Sequence, residues 1–230
     1  MTERDRRERL DRAKLYLLAT TTLCRVPLAE TIREAVAGGV DVVQLREKNL
    51  HDPDFRALAL RIGDVVRDAG ALFIVNDRVE IAGSIECDGV HVGQEDAPVF
   101  DVRAALGPDR LIGLSTHSIE QASEAVAFGA DSIGIGPVFP TETKDTGYEP
   151  RGVALAGDVT RGIPLPAFAI GGITEQNLPE LLAAGARRIA VSSAICSAED
   201  PRAAAARLKE QLTPGDRAPA ARPGSASRSA

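Results

Sequence analysis

Two carboxylates, Asp77 and Asp96, each stand close behind a short apolar run: Leu72–Val75 precedes Asn76-Asp77, and Gly89–Val92 precedes Gly93-Gln94-Glu95-Asp96. Runs this rich in β-branched residues read as buried parallel strands. As parallel neighbours, the two strands would deliver both acids to one end of a sheet. Carboxylates that converge on one cleft repel each other unless they share a cation or a proton. Oxygen ligands with few His or Cys nearby suit Mg²⁺, which binds through one or two carboxylates together with substrate phosphates. Plainer duties fit the same residues, Asp77 as a helix N-cap and Asp96 as a turn residue. A second group lies in the stretch 44–48. Alternation along a strand turns Gln44, Arg46 and Lys48 one way and Val43 and Leu45 the other. Pointing an amide, a guanidinium and an ammonium into a barrel or cleft is costly unless an anion meets them. With the two acids they would form a bed for a diphosphate and its metal; a structural ion pair of Arg46 or Lys48 with Glu47 or another acid is the alternative.

These groups need elements to bring them together. Apolar runs predict eight strands, beginning near residues 15, 41, 72, 89, 111, 132, 165 and 188. Each is followed by a helix or a helix-length stretch: 28–37, 53–69, 79–84, 98–106, 118–128, 153–159, 175–184 and 201–212. Several carry start and stop signals. Asp52-Pro53 reads as a cap and first turn, Ser118 with Gln121 as a capping pair, and Gly70 and Gly129 as stops. Strict βα alternation implies a parallel sheet, and eight units in this length fit a (β/α)8 TIM barrel. A doubly wound open sheet is weakened by the missing dinucleotide fingerprint, since Gly134-Ile135-Gly136 runs into Pro137. Residues 1–13 read as a polar, frayed or helical lead-in. The expected organisation is one catalytic domain over 1–213 and a disordered tail over 214–230, which is rich in Pro, Ala, Ser, Gly and Arg.

In a barrel the active site forms where the strands end. Behind the fifth strand stand Ser115, Thr116 and His117. Behind the sixth comes a long loop, 136–151, carrying Thr141, Thr143 and Lys144, a length that suits a ligand loop. Behind the seventh and eighth come Gly171-Gly172-Ile173-Thr174 and Ser192-Ser193, where such barrels hold a phosphate on backbone N–H groups. The expectation is thus two anionic ligands, a diphosphate with metal near strands two to four and a monophosphate near strands seven and eight. His91, mid-strand, reads as a packed interior residue with bonded nitrogens.

Composition narrows the class. The chain has 230 residues, net charge −6, three scattered cysteines and no C-x-x-C pair. No apolar run is long enough to span a bilayer, and the charged N-terminus has no signal-like core. Neither a disulfide framework nor a thiolate zinc site is indicated. Nucleic-acid and membrane partners are not expected. A cytoplasmic location and small phosphorylated partners are, with a homo-oligomer left open.

At QLREK (44–48), VND (75–77), GVHVGQED (89–96), GLSTHS (113–118), GIGPVFPTETK (134–144), AIGGIT (169–174) and SSAICSAEDP (192–201), the chain resembles the thiamine phosphate synthase family, also called thiamine-phosphate pyrophosphorylase. The resemblance covers nearly all of 14–212 and implies a TIM barrel. It also implies a transferase activity in thiamine biosynthesis. In that reaction 4-amino-2-methyl-5-(diphosphooxymethyl)pyrimidine and a thiazole phosphate carboxylate give thiamine phosphate, pyrophosphate and CO₂. By matching motifs, Gln44, Leu45, Arg46, Glu47, Lys48, Asn76, Ser115 and Lys144 would hold the pyrimidine diphosphate, with Arg46, Lys48 and Lys144 catalytic. Asp77 and Asp96 would bind Mg²⁺. Thr141, Glu142, Thr143, Gly172, Ser192 and Ser193 would hold the thiazole phosphate. The family's mechanism resembles a dissociative substitution, in which pyrophosphate leaves before the thiazole nitrogen attacks. The chain departs from the pattern at Ser192, where an apolar residue is expected, and at Arg187-Arg188, where Asp-Gly is frequent. A thiazole tautomerase or a non-catalytic phosphate-binding regulator on the same barrel are the competing readings.

Overall fold

A computed structural model describes residues 1–141 and 149–213. Eight parallel strands close into a barrel in sequence order: β1 (Leu15–Ala19), β2 (Val42–Leu45), β3 (Leu72–Asn76), β4 (Gly89–Val92), β5 (Leu111–Thr116), β6 (Ser132–Ile135), β7 (Ala167–Ile170) and β8 (Ile189–Val191). Closure is made by β8 on β1, with Leu15 opposite Ile189 and Leu17 opposite Val191. Helices α2 (Leu28–Ala37), α3 (Asp52–Ala69), α4 (Val79–Ser84), α5 (Val99–Leu106), α6 (Ile119–Ala127), α7 (Gly152–Gly162), α8 (Leu178–Ala183) and α10 (Pro201–Leu212) alternate with the strands, and a one-turn α9 (Ser193–Cys196) follows β8. The fold is the (β/α)8 barrel expected from the alternation.

Side-chain direction divides the core in two. Odd residues of β2, Val43 and Leu45, join the large outer layer between strands and helices. Even residues of β2 point to the axis, where Val42 joins Tyr16, Leu72, Ile74, Leu111, Phe168 and Ala190 in filling the interior. Tyr16 and Phe168 meet edge to face at 5.2 Å, a preferred geometry for aromatic pairs.

Element ends differ from the sequence reading in instructive ways. The start of α3 is capped by His51 rather than Asp52, without a side-chain cap bond. Ser118 does accept from Gln121 N, but the Gln121 side chain returns to His117 N rather than to the cap. The lead-in is an ordered helix, α1 (Glu3–Arg12), with a full Thr2–Asp5 capping box. It lies under the barrel: Arg6 pairs with Asp88, Arg7 with Asp131, and Leu10 enters the interior cluster. Among the described residues, no helix is long and apolar enough to cross a membrane. The tail, 214–230, lies outside the described residues.

Candidate active site

The C-terminal strand ends gather most of the expected residues at one mouth. At the end of β2, Gln44 sits deep, with Nε2 donating to Tyr16 Oη at 2.9 Å. Arg46 follows just beyond the strand end, and Lys48 stands in the turn after it. Burial pulls the Arg46 guanidinium below its ordinary pKa, while Asp77 and Glu47 oppose that shift. Its backbone is pinned to the end of β1: Arg46 N donates to Ala19 O at 2.9 Å, and Thr20 Oγ1 donates to Arg46 O at 2.9 Å. Leu45 turns its side chain into the outer core, leaving only its backbone toward the mouth. Glu47 is buried, and its carboxylate accepts from Thr21 N at 2.5 Å.

Beyond β3, Asp77 adopts a left-handed backbone with φ of 59°, alone in this among the described non-glycine residues. The conformation is tolerated by Asp better than by most residues. It is fixed by Asp77 N donating to His91 O at 2.9 Å. Burial raises the Asp77 carboxyl pKa, and the adjacent Asp96 carboxylate raises it further; Lys48 and the Asn76 amide act against them. Lys48 Nζ lies 3.8 Å from Asp77 Oδ2. Asp96 is held by Gly93 N, which donates to its Oδ2 at 2.7 Å. The Asp96 carboxylate thus stands close enough to Asp77 to disfavour its charge.

On the far side, β5 to β8 surround a cavity of about 550 Å³ lined by Arg46, Ser115, His117, Thr141, Gly172, Ser192 and Ser193 among others. Arg46 also lines a second hollow of about 640 Å³, with Thr21, Thr22, Lys48 and Arg61. Asn76, Asp77 and Asp96 line neither of these two hollows. The left-handed Gly172 carries the β7 loop under the β6 loop: a Cβ there would lie 2.3 Å from Pro140 O. Ser192 Oγ donates to Leu18 O at 2.8 Å, tying the β8 end to β1. Glu142, Thr143 and Lys144 lie outside the described residues.

Other groups hold these in place, among them His91, read from the sequence as a packed interior residue with bonded nitrogens, and Gln94 and Asn177, which that reading did not single out. His91 Nε2 lies 3.0 Å from Ser115 Oγ, and Gln94 Nε2 donates to Ser115 O at 2.6 Å. The ring of His91 occupies a slot that Gly113 opens, since a Cβ there would lie 2.4 Å from its Nδ1, while one on Gly134 would make ordinary contact at 3.5 Å from its Cε1. Glycine inside a strand was the available signal, because it marks close approach. Asn177 secures the β7 loop through Gly172 O at 2.9 Å and Thr174 N at 2.8 Å.

A family model described as thiamine monophosphate synthase matches residues 15–195. Thiamine-phosphate synthase of Gloeobacter violaceus is 47% identical over 211 residues, 92% of this chain, which spans 61% of that protein's length. The enzyme of the same name from Bacillus velezensis is 40% identical, covering 92% of this chain and 96% of its own. A solved structure, thiamine phosphate pyrophosphorylase from Pyrococcus furiosus, superposes with a TM-score of 0.78 at 35% identity, covering 90% of this chain and 96% of that one. On fold, motif order and sequence alike, the chain belongs to the thiamine monophosphate synthase family.

Proposed function

We propose that the protein is a cytoplasmic thiamine phosphate synthase. It would join 4-amino-2-methyl-5-(diphosphooxymethyl)pyrimidine to a thiazole phosphate, carboxylated or not, and release pyrophosphate. The observation that carries this reading is the meeting of Arg46 and Lys48 with the Asp77–Asp96 pair at the ends of β2, β3 and β4. A tautomerase acting on the thiazole phosphate alone has no use for a cation-and-diphosphate bed.

Two close carboxylates, Asp77 with its proton affinity raised by Asp96, fit a divalent cation better than they fit each other. Among the described residues no group of three or more His, Cys, Asp or Glu could hold a metal ion by itself; Mg²⁺ takes few protein ligands and would complete its shell with phosphate oxygen and water. Asp77 and Asp96 would hold it, and bound there it would neutralise charge on the diphosphate. Arg46, Lys48 and Lys144 would stabilise the negative charge that grows on the leaving pyrophosphate. Gln44, Asn76 and Ser115 would orient the pyrimidine half, with Leu45 and Glu47 contributing backbone. Thr141, Glu142, Thr143, Gly172, Ser192 and Ser193 would hold the thiazole phosphate so that its ring nitrogen faces the pyrimidine methylene. The chemistry needs no strong general base, in keeping with a mouth where His91 and His117 are tied to Ser115 and to Gly136 O. Roles given to 142–144 rest on the resemblance.

The test is incubation with both precursors, with and without Mg²⁺, following pyrophosphate. Release that requires both precursors and the metal is expected. Isomerisation of the thiazole phosphate without release would establish the tautomerase, and binding without turnover the regulator. Asp77→Asn, which keeps a residue tolerant of the left-handed backbone, and Asp96→Asn are each expected to lower Mg²⁺-dependent turnover by roughly 100-fold or more with the fold intact. Unchanged turnover in either would remove that acid from the metal site.

A further inference from the structure

Arg78 follows Asp77 and lines neither hollow, yet it reaches across the site's acidic edge. Its Nη2 donates to two backbone carbonyls of the β2–α3 loop, Glu47 O at 3.2 Å and Leu50 O at 2.5 Å. Its Nε lies 3.4 Å from Asp52 Oδ1 at the start of α3. Its Cζ sits 4.1 Å over the ring of Phe55, one turn further on. The backbone is fixed too, with Arg78 N donating to Asn76 O at 2.7 Å. The remaining nitrogen, Nη1, is the one buried side-chain N or O atom among the described residues with no hydrogen-bond partner.

That last fact decides how to read the others. A buried donor without a partner is costly, and an apolar side chain would cover Phe55 without that cost. A guanidinium can hold two carbonyls with Nη2, face the Asp52 carboxylate with Nε and lie flat on an aromatic ring at once, where an ammonium has one nitrogen for all three. The two carbonyls belong to the loop that carries Lys48, and the fork's own backbone is continuous with Asp77. One side chain therefore ties the loop of Lys48 to the turn of Asp77, beside the Asp77–His91 backbone bond. We propose that Arg78 is a positioning residue: it locks the loop after β2 to the turn after β3, and so fixes Lys48 relative to Asp77 and Asp96 for a metal–diphosphate ligand. The proposal rests on the function read above but concerns a separate link.

The test is calorimetric titration of the full chain with inorganic pyrophosphate in the presence of Mg²⁺, beside titration with a thiazole monophosphate. Arg78→Met and Arg78→Lys are each expected to weaken the Mg²⁺-pyrophosphate complex about tenfold or more and to leave thiazole phosphate binding within about twofold, because that ligand's side of the mouth makes no contact with the fork. Failure of Arg78→Lys to restore binding distinguishes fork geometry from charge. In turnover, the KM for the pyrimidine diphosphate should rise more than that for the thiazole phosphate. Equal weakening of both ligands, wild-type affinity in either folded variant, or full rescue by Lys would overturn the proposal. Should the Met variant not fold, the Lys variant decides alone. A wild-type protein that binds Mg²⁺-pyrophosphate but never releases it from the two precursors would sink the synthase reading and leave this one standing.

Discussion

The thiol of Cys24 neighbours that of Cys196, at the seam where the turn after β1 meets α9. The neighbouring Cys196 thiol holds the Cys24 pKa down to about 7 against the effect of burial, whereas burial drives Cys87 up to about 11 and the Cys24 contact drives Cys196 upward as well. Thiolate is the reactive form, so the sign is plain: Cys24 should gain reactivity as pH rises through about 7. Iodoacetamide labelling mapped by mass spectrometry should find Cys24 modified first, with Cys87 and Cys196 protected in the native protein. Cys196→Ala should move the Cys24 midpoint up toward that of an ordinary thiol; an unmoved midpoint would refute the pairing. Nothing in the sequence announced this pair, because the two cysteines are far apart along the chain and meet only through barrel closure. The residues of 44–48 were more legible. Period-2 alternation separates Gln44, Arg46 and Lys48 from Leu45, and the side chains divide that way. Alternation cannot tell how deep a side chain stands, however, so Gln44's bond to Tyr16 beneath the mouth was out of reach, as was Glu47's to Thr21 N.

Strands and helices were readable because each is a local pattern: apolar runs for strands buried on both faces, a 3.6-residue stripe for helices, and glycine stops. Their ends were less so, since ends are settled by bonds to other segments. The helix expected from Glu175 begins at Leu178, because residues 174–177 form a turn in which Asn177 bonds Thr174 N and Gly172 O. That turn supports Gly172, whose φ is 62°, and a comparison of glycines tests how the β7 loop is held. At Gly129, with φ of 79°, an added Cβ meets nothing within 4 Å, whereas at Gly172 it would lie 2.3 Å from Pro140 O. Gly129→Ala should therefore cost only left-handed strain, about 1–2 kcal/mol. Gly172→Ala should cost a further 1–3 kcal/mol or so from overpacking, and it should raise the KM for the thiazole phosphate well above that for the pyrimidine diphosphate. Urea melts and two-substrate kinetics on the pair would check this; equal effects from the two substitutions would show that the loop yields easily.

Barrel closure assigns opposite duties to the two ends of the molecule, with chemistry at the strand C-termini and stability at the N-termini. The N-terminal helix belongs to the second duty. Its polarity left it as a frayed or helical lead-in, and its partners, Asp88 and Asp131, are 82 and 124 positions from the arginines that meet them, a separation no local pattern reveals. Both acids also serve the barrel directly: Asp88 accepts from Phe73 N at 2.9 Å and Asp131 from Ile112 N at 2.8 Å. Asp131 keeps a second cation, Arg103, at 2.6 Å, so loss of α1 would strip Asp88 of its arginine but leave Asp131 paired. It would also open the barrel floor at Leu10. Removing residues 1–12 should thus cost about 2 kcal/mol for Leu10 and about 1–3 kcal/mol for Asp88, read as a lower urea midpoint. Arg6→Ala alone should show most of the second part, while Arg7→Ala, whose acid retains Arg103, should show much less. Neither change touches the mouth, so kcat/KM at a temperature where the protein stays folded should hold within about twofold. Loss of turnover in a truncated protein that still melts cooperatively would mean that the floor helix shapes the active end after all.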